Sequence, residues 1–210
     1  MKSIRTQATG RAADHLLRLA DEYGIDVADL ASAAIEAAIG KSVPAASFLT
    51  RVERGELPEA TTKGQFAAML GAITTTTVVG IRLGTHDESG AQEEPWVRMH
   101  SGLDLDETYI PSIWASARGW WVVNERAGMV VAFRAGLPKA LFVVQRWSEP
   151  EARRRYALDG YAVVGGRRID PGSGIDIGPA SKVEGNVENC VMGRRLVMEP
   201  QAANPIVILS

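Results

Sequence analysis

Four of the five tryptophans lie within one stretch of the sequence, residues 114–147, and their side chains are the best candidates for ligand binding. An indole ring stacks on a flipped or unpaired nucleobase, and each such stack is worth roughly 1–3 kcal/mol. The alternative is that the rings lie in the core, because tryptophan buries a large apolar area. Adjacent residues of a strand point to opposite faces, so only one of Trp120 and Trp121 would face a given pocket. The candidate stacking residues are Trp114, Trp120, Trp121 and Trp147.

Arginines near the predicted strands form a second candidate group. A planar guanidinium donates paired hydrogen bonds to phosphate oxygens, which suits a nucleotide or nucleic-acid ligand. Solvated surface charge is the alternative. Strand ends meet at one rim when a sheet closes into a barrel, so we expect the arginines to surround a tryptophan-lined pocket. The candidate arginines are Arg118, Arg153, Arg154, Arg155, Arg194 and Arg195, and Arg167 and Arg168 form a further pair in a predicted turn.

Carboxylates and histidines give only a weak signal for a metal. Asp104, Asp106 and Glu107 could hold Mg²⁺, since residues two apart share a face of an extended chain and oxygen ligands suit this ion. An acidic, solvated linker is the alternative. With three histidines, one cysteine and neither C-x-x-C nor H-E-x-x-H, the sequence argues against structural zinc. We expect no metal and no cofactor; further candidate ligands are His86, Asp87 and His100.

No motif specifies a reaction. Cys190 and His100 would supply a nucleophile and a base, but Cys190 begins a segment predicted to be a buried strand, where a thiol is inert. The glycine-rich residues 172–178 lack the G-x-G-x-x-G spacing of a phosphate loop and are predicted to form a flexible surface loop. The sequence leaves open whether the protein is an enzyme.

Charge and composition narrow the class of protein. The net charge of −2 argues against a protein that coats nucleic acid through bulk charge. Residues 109–210 nevertheless hold 13 basic and 9 acidic side chains, a net charge of +4, which suits an anionic partner. One cysteine and no signal-peptide pattern indicate the cytoplasm. No segment reaches the roughly 18 apolar residues of a membrane helix, so we expect no membrane contact.

Apolar periodicity predicts a helical N-terminal region, residues 1–107, that ends in a β-hairpin. One helix is predicted to end at Gly24, and a second to run from an Asp26 cap to Gly40. Thr62 is predicted to cap a third helix, residues 63–73. The β-branched run at residues 74–83 predicts a strand, which would pair with another at residues 95–101.

A short polar strand, a helix, a G-x-D turn and a second helix follow one another over residues 3–39. This order resembles the ribbon-helix-helix family, in which a dimer inserts its paired strands into the DNA major groove. The resemblance implies that Arg5 and Gln7 face the bases. The alternative is a helical hairpin used for packing or dimerisation, with residues 26–39 as a homodimer interface.

Residues 108–210 are predicted to form a tryptophan-rich β domain. Short strands joined by Gly, Pro or Asn, with a helical turn at residues 114–118 and one long connection at residues 165–189, suggest a small closed barrel, because closure removes sheet edges. The expected fold class is α+β: an N-terminal helical segment followed by a mixed β-barrel of about six strands. The strand candidates are residues 120–123, 129–134, 140–147, 155–164, 191–198 and 205–209.

The same half carries motifs in the order of an uncharacterised bacterial domain. They are G-W-W at residues 119–121, a strand ending in Trp147, an aromatic residue and a glycine at 156 and 160, G-R-R-L at 193–196 and N-P-I at 204–206. The pattern resembles that domain, and its strand order is similar to PUA-like barrels, the group with EVE, ASCH and YTH domains. The resemblance implies binding of RNA or a modified base in an aromatic pocket, and it places Asn204 in the candidate site.

Three hypotheses remain open. The first is a recognition module that binds nucleic acid or a nucleotide-like ligand through a tryptophan-lined pocket with an arginine rim. The second is a metal-dependent enzyme that acts on nucleotides or nucleic acid. The third is an oligomeric interaction or structural protein joined through residues 26–39.

Overall fold

The computed structural model describes residues 11–23, 25, 27–38, 50–52, 54, 56–84, 86, 102–119, 121–148, 157–197 and 206–210. The helices in these ranges are α1 (Arg11–Tyr23), α2 (Val27–Ala38), α3 (Lys63–Gly71), α4 (Ile110–Ala117) and α5 (Lys182–Met192). The strands are β1 (Ala60–Thr61), β2 (Thr77–Leu83), β3 (Ala127–Arg134), β4 (Leu137–Trp147), β5 (Leu158–Val164), β6 (Arg167–Ile169), β7 (Asp176–Pro179), β8 (Arg195–Leu196) and β9 (Ile206–Ile208).

Seven strands form one mixed sheet in the order β7-β6-β5-β4-β3-β2-β9. β2 and β3 are parallel and the other neighbours are antiparallel. β1 and β8 form a separate parallel pair. Helices with a mixed sheet confirm the α+β class. The predicted closed barrel of about six strands is not found within the described ranges, because β7 and β9 lie at opposite edges of the sheet and do not pair.

Two-residue turns connect the central hairpins. Ala135 and Gly136 join β3 to β4 with φ values of 51° and 76°, and Gly165 and Gly166 join β5 to β6 with 58° and 74°. Positive φ at both central positions is the turn geometry that matches the twist of paired strands. Glycine adopts it without strain, whereas Ala135 does so at some cost.

Alternation along the strands gives the sheet two apolar faces. On β3, Val131 belongs to one core cluster and Val130 to the other. Phe66 of α3 and Val187 of α5 pack on the first face. Ile113 of α4 packs on the second. The sheet is therefore covered on both sides, with α3 and α5 opposite α4.

A third cluster connects the N-terminal helices to the sheet. Leu30 and Ala33 of α2 pack in it with Leu19 of α1, and Leu105 and Leu137 contribute from the later part of the chain. Leu137 begins β4 next to the β3–β4 turn. The two predicted N-terminal helices are confirmed, and they pack at the turn end of β3 and β4.

The strand predicted at residues 191–198 is wrong in its first part, because α5 continues to Met192 and, among the described residues of this segment, only Arg195 and Leu196 form a strand. Ser181 starts that helix through a capping box, in which its hydroxyl accepts from the Glu184 amide and the Glu184 carboxylate accepts from the Ser181 amide. The predicted connection at residues 165–189 likewise contains β6, β7 and most of α5. Of the strand predicted at 120–123, Trp121 makes an isolated bridge, residues 122 and 123 do not lie in a strand, and Trp120 lies outside the described residues.

Elements from both predicted halves contribute to the sheet. β2 comes from the predicted N-terminal region, and it pairs with β3 on one side and β9 on the other. The Thr62 cap of α3 is confirmed, including the reciprocal bond of Gln65 to the Thr62 amide. The hairpin partner predicted at residues 95–101 and the polar strand predicted at residues 3–9, with Arg5 and Gln7, lie outside the described residues.

Candidate functional site

Four of the predicted site residues meet at one corner of the sheet, which we call the indole corner: Trp114, Arg118, Trp121 and Trp147. Trp114 lies on α4, Arg118 is the C-cap of that helix, and Trp147 is the last residue of β4. The three indoles belong to the core cluster on the α4 face. Residues far apart in sequence therefore lie in one core cluster at this corner.

Trp114 packs deeply at this corner. Its side chain is 7% exposed, and its ring lies 5.2 Å from the ring of Phe142 at an interplanar angle of 54°. Tilted aromatic pairs of this kind contribute about 0.5–1.5 kcal/mol beyond their buried area. Trp114 therefore acts as part of the core that supports the corner.

Hydrogen bonds fix the other two indoles. Trp121 is 7% exposed, and its Nε1 donates to the carbonyl of Ala117 at 2.6 Å. The Nε1 of Trp147 donates to the carbonyl of Ala127 at 2.9 Å, and this ring is only partly buried. Each indole has its polar atom satisfied by backbone, so its ring is held in one orientation. Trp147 is the one of the three that keeps a partly accessible ring.

Arg118 brings a cation to the same corner. Its guanidinium carbon lies 5.6 Å from the centroid of the Trp114 ring, within the range of a cation–π interaction. Two backbone hydrogen bonds fix this residue. The Arg118 amide donates to the carbonyl of Trp114 at 2.9 Å, and the Arg118 carbonyl accepts from the amide of Leu158 at 3.2 Å. The half-buried side chain therefore stands next to the indoles at the start of β5.

Arg194 and Arg195 lie elsewhere. The Leu196 amide donates to the carbonyl of Gly136, which places β8 beside the β3–β4 turn. Trp147 lies at the other end of β4, about 30 Å away for an extended strand of 11 residues. Arg194 donates from Nη1 to the carbonyl of Cys190 at the end of α5, which packs on the opposite face of the sheet. These two arginines do not share a mouth with the indole corner.

The other predicted site residues are outside the described part of the chain. They are Trp120, Arg153, Arg154, Arg155 and Asn204.

A buried polar network that the sequence did not reveal lies on the other face. Glu184 of α5 accepts from Tyr161 Oη at 2.7 Å and from Arg168 Nε and Nη2, both at 3.0 Å. Its second oxygen also accepts from the Ser181 amide at 2.8 Å. The Arg168 guanidinium lies 4.9 Å from the centroid of the Tyr161 ring. One carboxylate thereby connects α5, β5 and β6.

Charge in this network is fixed at neutral pH. Burial, followed by the hydrogen bond to Glu184, raises the pKa of Tyr161 to about 12. Burial alone would raise the pKa of Glu184, but its bonds to Arg168, Ser181 and Tyr161 outweigh that effect and lower it below the usual value. The phenol of Tyr161 is therefore neutral, and the carboxylate of Glu184 is charged and fully hydrogen-bonded. Both side chains stabilise the fold. The only signal for them in the sequence was the S-x-x-E capping box, which marks a helix start and no partner.

The next turn of α5 makes a second buried contact. Glu188 accepts from the amides of Gly165 and Gly166 at 2.6 and 3.0 Å. A carboxylate that accepts from two backbone amides makes charge-assisted bonds, which are stronger than neutral ones. Glu184 and Glu188 therefore join one face of α5 to the β5–β6 hairpin.

The acidic residues before α4 are used by the protein itself. Glu107 Oε1 accepts from the amides of Thr108 and Tyr109 at 2.9 and 2.7 Å. Burial would raise the pKa of Glu107, but hydrogen bonds led by that of the Tyr109 amide lower it. Lys139 Nζ donates to the carbonyl of Leu105, and burial lowers its pKa to about 8 although Asp106 opposes the shift. Within the described ranges, no group of three or more His, Cys, Asp or Glu side chains could hold a metal ion.

The fold and the corner together define an α+β protein in which helices cover both faces of a mixed sheet and an arginine stands beside clustered indoles. No protein family, curated protein or solved structure matches the chain. In the part of the chain that the structure describes, no helix has the length and apolar character needed to cross a membrane.

Proposed function

We propose that the protein is a recognition module that binds a nucleotide-like ligand or single-stranded nucleic acid at the indole corner. The observation that supports this proposal is the position of Trp147, a partly accessible indole whose Nε1 is held by Ala127. The PUA-like relationship remains a prediction from the sequence motifs, and the proposal does not depend on a closed barrel.

The corner offers the two interactions that such a ligand needs. A fixed indole gives a base a stacking surface without losing side-chain entropy on binding, and each stack contributes about 1–3 kcal/mol. Arg118 adds a positive charge for phosphate next to that surface. Trp114 and Trp121 are buried, so they support the platform and do not stack on the ligand. The arginine rim of the original hypothesis is reduced, among described residues, to Arg118.

Binding of a fluorescently labelled single-stranded oligonucleotide, followed by anisotropy at low salt, tests the proposal. Trp147→Leu removes the platform and is expected to weaken binding roughly 10-fold or more, in line with one lost stack. Trp121→Phe changes a buried indole and is the matched control, with an expected change of less than about 3-fold. Equal affinity in the wild type and in Trp147→Leu, or no binding of RNA, DNA or nucleotides by the wild type, would reject the proposal.

Charge at the corner is tested separately. Arg118→Met keeps most of the apolar length of the side chain, and it is expected to weaken binding and to reduce its dependence on salt. Lys63→Met is the control, because Lys63 starts α3 on the opposite face of the sheet. If both variants weaken binding to the same extent, the effect is one of net charge and not of the corner.

Self-association is a second candidate function, favoured by the surface of α2. Ile35 is 43% exposed, and Val27, two turns earlier on the same side, is exposed as well. Contact between two copies of α2 would remove these apolar side chains from water. Light scattering across concentration is expected to show a dimer that Ile35→Glu dissociates. A monomer at every concentration would exclude this function.

A further inference from the structure

Two nitrogens of the Arg195 guanidinium are buried without a hydrogen-bond partner in the part of the chain that the structure describes. Arg195 is 2% exposed, and its Nε and Nη1 are both buried and form no hydrogen bond. It makes no salt bridge among the described residues. Arg134 is a contrasting case in the same protein, since it is 1% exposed and its Nε donates to the carbonyl of Leu103 at 2.9 Å. The fold thus provides a hydrogen-bond acceptor for Arg134 and, among the described residues, none for Nε and Nη1 of Arg195.

An unpartnered guanidinium is energetically unfavourable. Arginine stays protonated in proteins, so burial cannot be relieved by loss of the proton. A buried charge without a counter-charge costs several kcal/mol, and each unmade hydrogen bond adds to that cost. Burial accordingly lowers the pKa of Arg195, and no charge among the described residues opposes the shift. Such a residue is understandable if an anion completes its surroundings.

The backbone that carries Arg195 is firmly held. Its amide donates to the carbonyl of Glu59 at 2.9 Å, and the next amide donates to Gly136 at the same distance. A Cβ on Gly136 would lie 2.5 Å from the Leu196 carbonyl and 3.3 Å from Cγ of Arg195, so the turn packs directly against β8. Gly136 also has φ of +76°, which favours glycine. The backbone of Arg195 and the first part of its side chain are therefore held by the fold.

We propose that Arg195 binds the oxyanion of a small ligand, a phosphate or a carboxylate, at an internal site distinct from the indole corner. The guanidinium donates charge-assisted hydrogen bonds to the oxygens of the anion from Nε and Nη1, which lie on different sides of the group and have no acceptor among the described residues. The ligand is small because a side chain that is 2% exposed is beyond the reach of a polymer backbone. This site is separate from the indole corner, since β8 lies at the opposite end of β4.

Thermal unfolding in inorganic phosphate, in acetate and in chloride at equal ionic strength tests the site. For the wild type, the oxyanion that fits is expected to raise the Tm by roughly 5 °C at a hundredfold excess over its dissociation constant. Arg195→Met is expected to raise the Tm in chloride, because it removes the unpartnered charge, and to abolish the oxyanion effect. Arg194→Met is the control and keeps the oxyanion effect. The phosphate and acetate arms distinguish the two oxyanions.

Two results overturn the proposal. One is a wild-type protein whose Tm is the same in phosphate, acetate and chloride, with no heat of binding for either anion by calorimetry. The other is an oxyanion effect that Arg195→Met retains in full. If Arg195→Met does not fold, Arg195→Lys decides, since it keeps the charge but loses the paired donors. Loss of most of the oxyanion effect in Arg195→Lys supports the site, and full retention rejects it.

Discussion

Glu184 offers the sharpest test of how the α5 face of the sheet is held together. All four of its hydrogen-bond partners are donors: Tyr161 Oη, Arg168 Nε and Nη2, and the amide of Ser181. Each carboxylate oxygen accepts two of these bonds. Glu184→Gln has almost the same shape, but its amide nitrogen must replace one of the two oxygens. If the nitrogen takes the place of Oε2, Arg168 Nε and the Ser181 amide face another donor. If it takes the place of Oε1, the Tyr161 hydroxyl can turn and accept, and only Arg168 Nη2 faces another donor.

The expected loss follows from this count. A hydrogen bond to a charged group contributes about 1.5–3 kcal/mol and a neutral one about 0.5–1.5 kcal/mol. Loss of the Arg168 Nη2 bond and of the charge on the three bonds that remain, eased by the partial exposure of Arg168, is expected to lower the free energy of unfolding by about 1.5–3 kcal/mol. With a urea m-value of about 2 kcal/mol/M, the unfolding midpoint falls by about 1 M.

Urea unfolding at pH 7, followed by tryptophan fluorescence, measures this difference. Glu59→Gln is the control, because Glu59 is exposed and only its carbonyl is used in the fold. The pKa of Glu184 is lowered, so its contribution is complete above the usual value of 4.5 and is lost as pH falls through the folded-state pKa. The gap between wild type and Glu184→Gln should therefore narrow in acid. Identical midpoints at pH 7 would refute the role assigned to this carboxylate.

Three other changes have defined outcomes. Glu188→Ala leaves the two turn amides without their acceptor and is expected to lower the free energy of unfolding by about 2 kcal/mol, measured by urea unfolding; an unchanged midpoint would contradict the buried bonds. Gly160→Ala places a Cβ 1.9 Å from the Val143 carbonyl oxygen and is expected to lower the free energy of unfolding by about 3 kcal/mol or more. Gly185→Ala, with no atom within 4 Å of the new Cβ, is expected to raise it by about 0.5–1 kcal/mol in the same assay. Equal effects of the two changes would contradict the close approach of the strands at Gly160. Burial lowers the pKa of Lys139 to about 8, so above that pH the unfolded chain binds more protons than the folded protein. The free energy of unfolding is therefore expected to rise from pH 8 to pH 10 in the wild type and to stay flat in Lys139→Met. Parallel pH profiles of the two proteins would contradict the burial of this amine.

Helices and strands whose signals lie within their own residues were predicted correctly from the sequence. The Thr62 cap predicted the start of α3, and the β-branched and aliphatic runs predicted β2, β3 and β4. In each case the signal lies within the element, so tertiary structure had little to change.

Elements that depend on distant partners were missed. The segment V-M-G-R-R-L-V-M was predicted to be a strand, but its first two residues continue α5, because Val187 and Val191 of this helix pack in the core cluster on the sheet. β6 and β7 are short and become strands only by extending a sheet that already exists. Barrel closure was inferred from the number of strands, and that number does not determine whether the edge strands meet.

The candidate site shows the same division. Residue type identified tryptophan and arginine as suitable for binding, and three of the indoles do cluster. Type alone could not indicate that Trp114 and Trp121 are buried and Trp147 only partly so, because an indole suits a core as well as a stacking surface. Residue type also could not indicate that Arg118 and Arg195 lie far apart. That distance arises because Arg118 lies near the Trp147 end of β4 and Arg195 lies near the Leu137 end.

The most direct test of the recognition proposal is the NMR signal of each indole N–H during titration with a single-stranded oligonucleotide. The account predicts that the Trp147 signal shifts in a saturable way while the Trp121 signal, bonded to Ala117, stays in place. A Trp147 signal that does not move while the oligonucleotide binds, or that moves only as much as the Trp121 signal, would contradict it.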